Sequence, residues 1–251
     1  GASGLLGGNL AFLSAQDSHH SHQVLAAYNE HAVTISGCKA TKLNLLSSNF
    51  EAVKKFKPDC IIHCAALTNV DLCQEKPALA HSVNVEATEK IVELAKDLHS
   101  RLLFISTDAL FDGKKSFHSE TERPNPLNAY AETKVLAENV VKTLVDYAII
   151  RTNFYGFNIV GKQSFSEWLY RKLSQGEEVP AFNDFFFSPI EATRLCTALL
   201  ELASHDFTGV LNVAGDCRLS KYDFAIEFAR EFGFDSSLVK PTKMREALLK
   251  A

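Results

Sequence analysis

Long hydrophobic runs are missing from this sequence: no apolar stretch reaches the 18 or so residues that a helical membrane span needs. A basic surplus is missing too. Twenty-six Lys and Arg stand against 30 Asp and Glu, a formal net charge of −4, so no excess of cations is there to neutralise a nucleic-acid backbone. Neither nucleic acid nor a membrane is therefore an expected partner. The six cysteines (Cys38, Cys60, Cys64, Cys73, Cys196, Cys217) lack CxxC pairs and even spacing. That pattern argues against a disulfide framework and fits reduced thiols in a cytoplasmic protein. Cys60, His63 and Cys64 share one apolar run but lack the second ligand pair of a zinc site. The histidines at 19, 20 and 22 read as a solvated loop. No repeat, low-complexity segment or charge block is present.

What is there is enough apolar material for a core: 46% of 251 residues, one large domain or two joined ones. Short apolar runs alternate with helical patterns. Strands are expected at Gln23–Tyr28, Cys60–Ala66, Leu102–Ser106 and Tyr147–Thr152. Between them, helices are expected from Ser47 or Ser48 to Phe56, from Pro77 through Leu94, and from Asn128 to Leu144. Unbroken apolar strands separated by helices predict a parallel sheet covered on both faces, a doubly wound α/β (Rossmann) fold over residues 1–155. Past Gly156 the rhythm loosens. Helices at Ser164–Ser174, Thr193–Ala203 and Tyr222–Phe232 (the last opened by the capping box Ser220-Lys-Tyr-Asp223), with a strand at Gly209–Ala214, are assigned to a smaller C-terminal substrate lobe, 156–251. Phe185–Phe187 is expected to be a buried strand lining that lobe, and Trp168 to sit in its core. A helix-like tail is expected at Lys243–Ala251.

The sequence opens on Gly1-Ala-Ser-Gly4-Leu5-Leu6-Gly7, a glycine-rich turn into a helix. Such a turn lets backbone approach a pyrophosphate, and the helix behind it aims free N–H groups at the anion. A turn of this kind follows a buried strand, so a strand of about six residues is expected upstream of Gly1. The second constellation is Tyr130-Ala-Glu-Thr-Lys134. Residues four apart share a helix face, and a nearby ammonium favours the phenolate, lowering a pKa that starts near 10. Such a tyrosine can exchange a proton with a carbonyl oxygen. With six Tyr in 251 residues, about 0.4 such pairs arise by chance. Context adds weight: Ser106-Thr107-Asp108 ends an apolar strand, where the carboxyl edge of a parallel sheet places catalytic groups.

Ser106-Thr-Asp-Ala-Leu-Phe-Asp-Gly113, then Pro124-Asn-Pro-Leu-Asn-Ala-Tyr130 and Lys134, resembles the extended short-chain dehydrogenases. Within them it is most similar to the dTDP-4-dehydrorhamnose reductase (RmlD-like) family. Ala65-Ala66-Leu-Thr68-Asn-Val-Asp71, Asn84 and Arg151-Thr-Asn-Phe-Tyr-Gly156 match further family motifs, so the likeness spans Gly1 to about Val239. It implies NADH or NADPH as cofactor, bound by Gly1, Gly4, Leu5, Leu6, Gly7, Ala65, Ala66, Thr68, Tyr130 and Lys134. It implies a nucleotide-sugar substrate reduced at a C4 ketone. Tyr130 would donate the proton, Lys134 would lower the Tyr130 pKa and hold the ribose, and Thr107 would polarise the carbonyl. Asp108, Asn153 and Phe154 would face the sugar.

Three positions depart from the family: Ala109 and Leu67 stand where it has Tyr, and Phe154 where it has Trp. All three belong to the family's substrate pocket, which leaves the sugar open. Glu30 suits a ribose diol and Lys39 or Lys42 a 2′-phosphate, so both cofactors remain open. Two other activities also remain open. One is nucleotide-sugar epimerisation. The other is a cofactor-binding regulatory module similar to the methionine adenosyltransferase β subunit. Dehydration is disfavoured, because Asp108-Ala109 lacks the Glu that follows the Asp in the family's dehydratases. A homodimer is the family's expectation for assembly.

Overall fold

The computed structural model describes residues 1–17, 22–47, 49–160 and 163–244. Ser48, His19, His20 and most of the expected tail lie outside them. The chain opens with α1 (Leu5–Gln16), β1 (Val24–Tyr28), β2 (Cys38–Lys42), α2 (Glu51–Phe56) and β3 (Cys60–His63). It continues through α3 (Val70–Glu75), α4 (Pro77–His81), α5 (Ala87–Leu98), β4 (Arg101–Thr107), α6 (Ala129–Val141), β5 (Tyr147–Thr152) and β6 (Phe154–Tyr155). Then come α7 (Phe165–Ser174), β7 (Val179–Phe182), β8 (Phe186–Phe187), β9 (Ile190–Glu191) and α8 (Ala192–Ala203). The last described elements are β10 (Gly209–Asn212), β11 (Leu219–Ser220), α9 (Lys221–Glu231) and β12 (Val239–Thr242).

All the main strands run parallel. β10, β5, β4 and β3 pair in that order, and β1 pairs with β2. Every residue of β4 is buried, as a central strand covered on both faces requires. One face packs against α5 and α6 through Leu102, Phe104, Ile91, Leu94, Ala137 and Val141. The other packs against α1 and α8 through Leu103, Ile105, Leu6, Leu10, Leu195 and Leu199. The doubly wound α/β fold expected from the alternation is thus present.

The cut at 155/156 does not follow the packing. α8 buries Leu195, Cys196 and Leu199 in the sheet's own core, and β10 extends the sheet beside β5. The chain leaves for the small lobe, returns to finish the sheet, and leaves again. The lobe proper is α7, β7, β8, β11, α9 and β12, with Leu169, Leu173, Val179, Phe224 and Phe228 in its core and Trp168 packed against it. Of the aromatic triplet, only Phe187 is buried, whereas Phe185 and Phe186 are exposed. Strand alternation in the β8–β11 pair turns successive residues to opposite faces.

Local signals account for most boundaries. Asn128 caps α6 by accepting from the Ala131 N–H, and Ser164 and Ser220 close full capping boxes with Glu167 and Asp223. The helix expected from Ser47 starts only at Glu51, because the Asn44 and Asn49 side chains accept from Leu46 and Glu51 N–H groups and hold that stretch in turns. Between α4 and α5 the helix widens to a π turn over Ser82–Glu86, a local distortion that recurs at functional sites.

Candidate active site

The glycine loop lies between the carboxyl ends of β1 and β3. The Ala2 N–H donates to Ala27 O at 2.9 Å, and a Cβ on Gly1 would sit 2.8 Å from Ala65 N. At Gly7 a Cβ would come within 2.3 Å of Gly1 O. Neither glycine tolerates a side chain. Gly4 is the N-cap of α1 and supplies no capping side chain, so the first N–H groups of the helix stay free for an anion. The Leu6 side chain points into the core, which leaves only its backbone for a ligand. These features fit the pyrophosphate of a dinucleotide. Beyond β1, Glu30 is exposed; Lys42, in register with Tyr28, is exposed at the end of β2.

The second wall is the loop Ala65–Thr68 after β3, where Ala65 and Ala66 are half-buried and Thr68 is exposed. Its shape is fixed by Asn84, which sits in the π turn and is 2% exposed. Asn84 Oδ1 accepts from the Leu67 N–H at 2.7 Å, and its Nδ2 donates to Leu67 O at 3.1 Å and to Thr133 Oγ1 at 3.0 Å. Thr133 in turn donates to Tyr130 O at 2.7 Å. One buried amide therefore ties the loop to the helix that carries Tyr130 and Lys134.

At the end of β4, Thr107 hydrogen-bonds the Tyr130 side chain. Burial pushes the Tyr130 phenol up to about 12, with the Thr107 bond opposing and the Asp108 charge adding. The lowering expected from Lys134 is not what the structure gives. The Lys134 ammonium donates to Ile105 O at 2.8 Å and lies 4.0 Å over the Phe104 ring; it is 2% exposed. Burial brings Lys134 itself down to about 7, partly offset by Glu138. At both groups the largest cause of the shift is burial, which disfavours the charged form. Glu138 lies four residues further along the same helix face. It is locked to Arg151 by bonds of 3.0 and 2.7 Å and accepts from Ser106 Oγ at 2.7 Å.

Asp108 faces the other way, toward the small lobe. Its two carboxylate oxygens accept from Asn153 Nδ2 at 3.1 and 3.2 Å. Burial raises its pKa, and the Asn153 bond and the Lys221 charge act against that. Lys221, the first residue of α9, comes down to about 8, mainly through burial.

Thr107, Asp108, Tyr130 and Asn153 thus form one group at the sheet edge, with Lys134 beside it. Phe154 stands apart. It is half-buried against the core around Ile150 and Leu195, and among the described residues no hydrogen bond or ring contact links it to Tyr130 or Asp108. Glu138 and Lys221 belong to no sequence motif. The i,i+4 step from Lys134 pointed to Glu138. For Lys221 the only clue was a cation at a helix start, the unfavourable end of the dipole.

The RmlD substrate binding domain model matches residues 1–251. A probable low-salt glycan biosynthesis reductase of Haloferax volcanii is 28% identical over 256 residues, covering 98% of this chain and 83% of that protein. The methionine adenosyltransferase 2 subunit beta of Xenopus laevis is 27% identical, covering 96% and 73%. Among solved structures, a hypothetical dTDP-4-dehydrorhamnose reductase from Sulfolobus tokodaii superposes with a TM-score of 0.81 at 35% identity, over 96% of this chain and 84% of that one. With the family model matched from Gly1 to Ala251, the chain belongs to the RmlD substrate-binding-domain family.

Proposed function

We propose that this chain is an NAD(P)H-dependent reductase of a nucleotide-activated 4-keto-6-deoxy sugar, of the dTDP-4-dehydrorhamnose type. The observation that carries it is the Thr107–Tyr130 pair at the end of β4, with Lys134 on the same helix and the glycine loop on the same sheet edge. A reduced nicotinamide dinucleotide bound on that loop supplies a hydride. The chain does the rest. Gly1, Gly4 and Gly7 let the backbone meet the pyrophosphate, with the Leu5 and Leu6 N–H groups behind them, and Ala65, Ala66 and Thr68 form the opposite wall. Tyr130, pushed up to about 12, keeps its proton at neutral pH and can give it to the oxygen of the C4 ketone. Thr107 donates its one hydroxyl proton to that oxygen. Lys134, at about 7, can carry charge beside the phenolate left behind and hold ribose hydroxyls. The sheet with its helices is the cofactor half, and the lobe of α7 and α9 holds the sugar.

The test is oxidation of NADH or NADPH with dTDP-4-keto-6-deoxy-L-mannose made in situ, with Tyr130→Phe as control. Turnover that falls by 10² or more in the variant is expected, the ordinary contribution of a positioned proton donor. Cofactor binding without turnover on any nucleotide sugar would overturn the reductase reading. The likeness to the methionine adenosyltransferase β subunit favours a second reading, a cofactor-binding regulatory module. Tyr130→Phe separates the two, since it would leave association with a methionine adenosyltransferase unchanged.

A further inference from the structure

Lys221 is placed against its own electrostatic interest. It opens α9 at the N1 position, where the helix dipole disfavours a cation. Its ammonium lies 3.4 Å from the Phe187 ring centroid, with the Phe165 and Phe185 centroids at 5.1 and 5.7 Å. Three aromatic faces hold the charge in place but accept no conventional hydrogen bond. Among the described residues no carboxylate or carbonyl bonds to Nζ. Among the described residues the one charge that acts on it is Asp108, and the influence runs both ways; Ile190, three residues after Phe187, donates its N–H to O of Asn153 at 3.0 Å, which joins the rings under Lys221 to the amide that holds Asp108. Yet no ion pair closes between them. Asp108 is held in its place by Asn153, and Lys221 by the rings.

An ammonium and a carboxylate that are each held in place, influence each other and form no ion pair have a narrow choice of shared ligand. An ammonium only donates and an ionised carboxylate only accepts. A phosphate would satisfy Lys221 but be repelled by Asp108. A neutral hydroxyl satisfies both, accepting from one and donating to the other. Asp108 also adjoins Thr107, which bonds Tyr130, so a ligand on Asp108 would sit beside the position of the reacting oxygen.

We propose that Lys221 and Asp108 form a clamp for one sugar hydroxyl next to the carbon being reduced, the hydroxyl accepting from the ammonium and donating to the carboxylate. The clamp rests on the reductase reading above and deepens it. It makes Lys221 a specificity-determining residue, which selects sugars with a free hydroxyl beside the ketone and aligns them against Tyr130.

The experiment is calorimetric titration of the wild type, Lys221→Met, Asp108→Asn and the double variant. The titrants are dTDP-L-rhamnose, UDP-glucose and GDP-mannose, each beside its free nucleoside diphosphate. Lys221→Met keeps the aliphatic stem over the rings and removes only the charge, and circular dichroism checks that each variant is folded. For the nucleotide sugar that binds the wild type best, each single variant is expected to lose about tenfold or more in affinity, the loss for one charge-assisted hydrogen bond. The double variant should lose little beyond either single one, because both jaws hold the same hydroxyl. Free nucleoside diphosphate should bind all four proteins alike. Parallel loss of the nucleoside diphosphate would make Lys221 a phosphate ligand and overturn the clamp, as would unchanged sugar affinity in either variant. A wild type that binds no nucleotide sugar overturns the reductase reading, and the clamp with it. A wild type that binds but shows either of the first two outcomes overturns the clamp alone.

Discussion

Glu138→Gln removes one charge from a pair that has almost no access to water: the Arg151 and Glu138 side chains are 2% and 1% exposed. Arg151 would keep its charge and lose the Nη2 bond of 2.7 Å, since an amide nitrogen now faces it. Breaking a buried pair from one side costs about 3–5 kcal/mol, most of it the penalty of an uncompensated buried charge. Gln keeps one oxygen for Arg151 Nε, so the lower end applies, about 3 kcal/mol. For a chain of this size each kcal/mol lowers the melting temperature by about 2–4 °C, so thermal unfolding should fall by about 6–12 °C. Removing both charges in Glu138→Gln/Arg151→Met leaves no uncompensated charge, and the double variant should be more stable than the sum of the single losses implies. The assay is urea and thermal unfolding of all four proteins by circular dichroism. Single losses below about 1 kcal/mol that simply add in the double variant would refute the reasoning, by showing that water reaches the pair.

Gly7→Ala forces a methyl to within 2.3 Å of Gly1 O, so the turn must open; stability should drop by about 1–3 kcal/mol and NADPH affinity by more than tenfold, measured by fluorescence titration. Normal NADPH affinity in that variant would mean the dinucleotide binds elsewhere. Asn84→Ala leaves the Leu67 N–H without a partner and its C=O with only the Cys73 thiol at 3.5 Å, a cost of about 1–3 kcal/mol, and faster hydrogen exchange at Leu67 is the specific readout to look for. Lys134, brought down to about 7, releases its proton in the folded chain while the unfolded chain keeps it up to about 10.4. The unfolded state then binds more protons between pH 7 and 10.4, so the stability of wild type relative to Lys134→Met should rise with pH across that window. A difference that stays flat from pH 7 to 9 would place the ammonium in water.

The sheet could be read because its strands are unbroken apolar runs: Leu102–Ser106 lies within β4 and is wholly buried. Helix starts with a capping side chain, at Asn128, Ser164 and Ser220, were readable for the same reason, since each cap is local. What failed was non-local. Nothing in Ala192–Ala203 distinguishes a lobe helix from one that covers the sheet, because both need the same apolar stripe; only the pairing of β10 with β5 decides. The glycine loop, Thr107, Tyr130 and Lys134 stand out as candidates from motif spacing. Lys221 was not, because its ring partners come from Phe165, Phe185 and Phe187, far away along the chain.

The same distinction explains why the sign of the Tyr130 shift was misjudged. Sequence spacing can place an ammonium one turn from a phenol, and attraction alone would then lower the phenol's pKa. Spacing cannot tell how dry the turn is. Once both groups are buried, each resists its own charged form, and Lys134 satisfies its ammonium on Ile105 O rather than on the phenol. The pair rests with the proton on Tyr130 and Lys134 close to releasing its own. That state is short of charge, which suits the oxyanion that the proposed ketone reduction would create at this site. Negative charge arriving at the ketone oxygen would draw the Tyr130 proton off, and the resulting phenolate would favour the charged form of Lys134. The perturbed values are then properties of the resting site, and the attraction expected from spacing comes into play when the charge appears.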